Sequence, residues 1–83
     1  MIIKVQKKHI LRGIQEESNA CPVALALIDA GFKCPDVGYN DMRDDIINVS
    51  FHYPRSVKRF VKTFDKKGKK AVKPFSFILK QIV

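Results

Sequence analysis

The sequence predicts a single small α+β domain over residues 1–83, with its elements in the order β-α-β-β-α-β. Three observations carry this. Ile47, Val49, Phe51 and Tyr53 alternate with Asn48, Ser50 and His52, the period-2 pattern of a strand with one wet face. Val57, Phe60, Val61 and Phe64 fall at i, i+3, i+4 and i+7, the stripe of an amphipathic helix. A chain of 83 residues, 46% hydrophobic, has enough apolar matter for one core and not for two. The leading arrangement is an antiparallel sheet with two helices on one face, the ferredoxin-like or split βαβ topology. A looser α+β arrangement, in which residues 34–40 do not pair, stays open.

Met1 to Val5 reads as the first strand, with Ile3 and Val5 on one face. Lys7 to Gln15 reads as a short helical turn that Gly13 interrupts, followed by the polar loop Glu16 to Ala20. A buried helix is expected from about 21 to 30. Pro22 suits its first position, Val23 to Ile28 is apolar all round, and Gly31 stands where a left-handed cap belongs. Residues 34–40 carry Pro35 and Gly38 and make a weak edge strand. Asn40 to Asp44 reads as a turn, and Ile46 to Tyr53 as the next strand. The second helix opens after Pro54. A loop from Asp65 to Lys73 follows, and Phe75, Phe77 and Leu79 mark a last strand. The expected core is Ile3, Val5, Leu27, Val49, Phe51, Phe60, Phe64, Phe75 and Phe77.

The charge is polarised. The net charge is +8, and residues 54–73 hold nine cations against the single acid Asp65. These are Arg55, Lys58, Arg59, Lys62, Lys66, Lys67, Lys69, Lys70 and Lys73. The remaining seven cations and seven acids cancel. On a helical wheel Arg55, Lys58, Arg59, Lys62 and Lys66 stand opposite the apolar stripe, and the lysine loop continues them. Such a stripe suits phosphate backbones. A merely solvated helix face explains the same charges without a ligand. The open face of the sheet is expected to show Asn48, Ser50, His52, Ser76 and Lys80. It lacks the aromatic platform on which RNA-recognition modules stack bases, so base-specific readout is not expected.

Other chemistry is sparse. Cys21 stands at a helix start, where a thiolate is favoured, but no second cysteine follows at redox-motif spacing. Cys21 and Cys34 flank a helix and are too far apart to bridge. His9 and His52 match no zinc spacing, so no metal and no cofactor is expected. Asp41, Asp44 and Asp45 lack the spacing of a calcium loop and fit turn chemistry, with Asp44 and Asp45 as further candidates for pairing with the basic helix. No phosphate loop, nucleophile elbow or paired carboxylates occur, and an enzyme is not expected. No apolar run is long enough to span a membrane, and the first residues do not form a signal peptide. A reducing, cytoplasmic setting is the expectation.

The string Cys21-Pro22-Val23-Ala24-Leu25-Ala26, together with the ending Pro74-Phe75-Ser76-Phe77, resembles a group of small uncharacterised proteins encoded in bacteriophage and prophage genomes. The resemblance implies an accessory protein in the cytoplasm of an infected bacterium, and it carries no catalytic residue. The expected function is therefore binding of DNA or RNA backbone through the basic helix and loop, residues 55–73. The alternative is a modulator docking on an acidic host protein, with contacts from Tyr39 and from Ile46 or Ile78. A third reading is a cysteine-dependent enzyme built on Cys21. Monomer and dimer are both compatible with the sequence.

Overall fold

A computed structural model describes residues 1–39 and 41–81, the last without its side chain. Strand β1 (Ile2–Val5) turns Ile3 and Val5 inward and leaves Ile2 and Lys4 outside, as the alternation predicts. Helix α1 (Lys7–Arg12) stops at Gly13. Glycine is required there, because a Cβ would lie 2.5 Å from the Pro22 ring. Helix α2 (Pro22–Asp29) has Cys21 as its N-cap and buries Val23, Ala24, Ala26 and Leu27. Its exit follows the expected cap. Gly31 takes φ 111°, and the Phe32 N–H donates to the Leu27 carbonyl at 3.1 Å.

Three strands form a meander, β2 (Pro35–Val37), β3 (Asp41–Asp44) and β4 (Val49–His52). Here the structure corrects the sequence reading. Residues 41–44, expected as a turn, pair on both sides as a strand. Met42 is fully buried opposite Phe51. The turn lies instead at 45–48, which takes Ile46 and Ile47 off the strand and into solvent. The cause is Asp44, whose carboxylate accepts the N–H groups of Ile46 and Ile47 and folds the chain back at once. Asn48 then takes φ 54°, a left-handed conformation that asparagine tolerates.

Helix α3 (Arg55–Lys67) ends at Gly68, and one 3₁₀ turn follows at Lys69–Ala71. The last strand is interrupted. Strand β5 (Phe75–Ile78) pairs with β1, and β6 (Lys80–Gln81) pairs with β4. Between them Leu79 is buried, and its N–H donates to the Met1 carbonyl at 2.8 Å.

Every pairing among the described residues is antiparallel, and the mixed α+β class is as expected. The strand order is not that of a split βαβ fold, in which the first strand would lie beside residues 46–53. The added strand β3 reverses the direction of β4, so that β4 runs parallel to β1. The last segment is antiparallel to both and pairs with both. One cluster joins the layers, with Ile3, Val5, Leu27, Phe60, Phe64 and Phe77 buried. Val49, Phe51 and Phe75, also expected in the core, are half-buried against it. No helix among the described residues is long and apolar enough to cross a membrane.

Candidate nucleic-acid interface

The apolar stripe of α3 sets the orientation of its charges. Val57, Phe60, Val61 and Phe64 are buried, and the Phe60 ring lies 4.7 Å from that of Phe75. The opposite side therefore faces water. Arg55, Lys58, Arg59 and Lys62 line one cleft of about 440 Å³ together with Tyr39, Tyr53 and Pro54. Among the described residues no acid lines this cleft. Lys62 Nζ stands 5.5 Å from the centre of the Tyr39 ring, within cation–π range. Tyr53 packs edge-on against Phe77, and its hydroxyl is buried with no hydrogen-bond partner among the described residues. Burial, then the charges of Asp41 and Cys21, push this phenol up, so it keeps its proton.

The nine predicted cations do not form one surface. Four of them, Arg55, Lys58, Arg59 and Lys62, share the cleft. Lys73 lies in a neighbouring groove that Arg59 also lines. Lys66, Lys67 and Lys70 are exposed and line neither. Lys69 donates to the Leu11 carbonyl and ties the loop to α1. Among the described residues, none of the nine forms an ion pair. The acid within the segment, Asp65, is turned toward the loop after α1. Its Oδ1 accepts the Glu16 N–H at 2.9 Å, and its carbonyl accepts Gln15 Nε2 at 3.0 Å.

The aspartates expected to pair with the basic helix do not. Asp45 Oδ1 stands 3.7 Å from Arg43 Nε. Asp44 accepts four backbone N–H groups, from Lys33 (2.7 Å), Cys34 (3.0 Å), Ile46 (3.1 Å) and Ile47 (3.3 Å). No family model, curated protein or solved structure matches this chain. The chemistry has to be read from the residues alone.

The outward face of the strands carries Ser50, His52, Ser76 and Lys80 as expected, with Ile2 and Ile78 side by side. Asn48, expected there too, lies in the turn. Ile46, expected on the same face, lies in the turn as well. Among the described residues this face carries no Phe or Trp ring; its rings are the His52 imidazole and, at the margin, Tyr53, which share a cleft with Ile78 and Lys80. The rings beside the cations are Tyr39 and Tyr53. Tyr53 could have been found from its place two residues before Arg55. Nothing in the sequence placed Tyr39 there, because it arrives through the pairing of β2 with β3.

The other candidates resolve into packing. His9 is buried with both ring nitrogens engaged. Nδ1 accepts the Gln6 N–H at 2.8 Å, so Nε2 carries the proton donated to Asp29 at 2.7 Å. With Lys8 at 3.3 Å as well, this clamps α1 to α2. The hydrogen bonds from His9, then Lys8, hold the Asp29 carboxyl below its usual range. Cys21 is buried beneath the start of its helix, and Cys34 is exposed. Burial pushes the Cys21 thiol up despite the N–H groups of Ala24 and Val23. A thiol reagent at neutral pH is therefore expected to modify Cys34 promptly and Cys21 only after denaturant is added. Prompt modification of both in the native protein would show that Cys21 is an activated thiolate.

Proposed function

We propose that this protein binds the phosphate backbone of a nucleic acid through the first two turns of α3. The observation that carries this reading is the cleft that Arg55, Lys58, Arg59 and Lys62 line together, with no acid among its described lining residues. Four like charges held together repel one another, and no ion pair among the described residues relieves them. Phosphates would relieve that repulsion and release their own counterions on binding. The outward face of the strands has no row of aromatic rings for base stacking, which favours contact through charge and not through base edges. The resemblance to phage-encoded proteins fits an accessory role of this kind.

The test is fluorescence anisotropy with labelled oligonucleotides across a salt series. Four phosphate contacts to a duplex should give a slope of log K against log salt of about −4. Changing Arg55, Lys58, Arg59 and Lys62 together to Gln should lower affinity at 150 mM salt by roughly a hundredfold and flatten the slope. Changing Lys66, Lys67 and Lys70 to Gln should cost far less, since these lie outside the cleft. Equal losses from the two variants would reduce the effect to overall charge. Binding that vanishes above low salt would turn the search to an acidic protein partner.

A further inference from the structure

We propose that the nucleic acid this cleft takes is single-stranded, with an unpaired base packed on Tyr39 while its phosphates lie among the α3 cations. The inference rests on the backbone-binding reading above and adds the strandedness of the ligand. Tyr39 is 48% exposed and forms a wall shared by two clefts of opposite character. On one side are Arg55, Lys58, Arg59 and Lys62. On the other, a cleft of about 350 Å³ holds Glu16, Glu17 and Asp65 beside Val37 and Val61. A phosphodiester chain is drawn to the first side and repelled by the second. A nucleobase is uncharged and flat-faced, so it can pack on Tyr39 beside the acidic cleft without the repulsion that a phosphate would meet there.

Next to Tyr39 the Gly38 N–H donates to the Asp41 carbonyl at 2.9 Å. Lys62 Nζ stands over one face of the ring, so the base would pack on the face away from it, with a positive charge on the other side of the ring. Duplex bases are paired and stacked on one another and cannot reach Tyr39, so a duplex gains only the backbone term. Base–aromatic stacking is tolerant of sequence, which agrees with the lack of base-edge readers.

The experiment compares a labelled 12-nucleotide oligo-dT with a 12-base-pair duplex at 150 mM salt. The expected result is single-strand affinity about tenfold above duplex affinity. Tyr39→Ala should lower single-strand affinity about tenfold more than duplex affinity and so remove that difference, whereas Tyr39→Phe should keep it. The chain has two tyrosines and no tryptophan, so intrinsic tyrosine fluorescence gives a second readout. Oligo-dT should quench it in the native protein and much less in Tyr39→Phe. Equal affinity for both oligonucleotides, or a Tyr39→Ala loss equal for both, overturns the single-strand proposal while the backbone reading stands. Failure of the native protein to bind either one overturns both.

Discussion

Replacing Asp44 with asparagine is expected to lower the melting temperature by about 10 °C or more. The two carboxylate oxygens divide four N–H donors, with Lys33 and Cys34 on Oδ2 and Ile46 and Ile47 on Oδ1. Asparagine keeps one acceptor and turns an NH₂ group toward the other two donors, which are then left facing a donor. The position is buried, so water cannot substitute freely. Differential scanning calorimetry measures the shift, and a change within 2 °C or so would refute this account of the turn. The pH dependence gives a second check. Burial alone would raise this carboxyl, but the N–H groups of Cys34, Lys33, Ile47 and Ile46 outweigh it and hold it below its ordinary value. The resulting stabilisation is full above the unfolded value near about 3.9 and is lost as pH falls through the lower folded value. Asp29 behaves in the same direction. The asparagine variant should therefore lose less of its remaining stability on acidification than the native protein does.

Phe64→Ala is expected to cost about 3–5 kcal/mol. The side chain is among the largest that are fully buried, and its ring lies parallel to that of Phe60 at 6.3 Å. A domain of this size has about 4–12 kcal/mol of stability in all. The urea midpoint of the variant should then fall by at least about a quarter. Phe64→Leu, which keeps most of the volume, should cost under about 1.5 kcal/mol. Equal midpoints for the alanine variant and the native protein would mean that α3 is not anchored by its apolar stripe. The orientation of the cationic cleft would then lose its physical basis.

Local signals were legible in the sequence, and relations between distant segments were not. The stripe of α3, the capped exit of α2 at Gly31 and the inward parity of Ile3, Val5 and Phe77 follow from spacing alone. Strand β3 was hidden because Asp41, Arg43 and Asp44 look like turn residues. Met42 alone shows an apolar side chain among them, too little for a period-2 pattern. Ile46 and Ile47 look like the start of a strand, yet a carboxylate binding its own downstream N–H groups overrides their preference. The site was half legible for the same reason. Arg55, Lys58, Arg59 and Lys62 repeat at helical spacing and announce a charged face. Lys69 looked equivalent to its neighbours until its bond to Leu11 was visible. Tyr39 reaches the cleft only through tertiary pairing.

The contact between Leu79 and Met1 has a kinetic consequence. The strand segment that joins β1 to β4 follows both of them in the chain, so neither can close that sheet edge until residues 75–81 have been made. Until residues 75–81 arrive, α3 has no β5 on which to lay its rings, and its crowded positive charges oppose helix formation. Folding must wait for pairings far apart in sequence, such as β1 with β5, which makes it slower than that of a helical bundle of the same size. Added anions that quiet the charge of α3 should speed that step, so the same phosphates that the folded cleft attracts would also hasten its assembly.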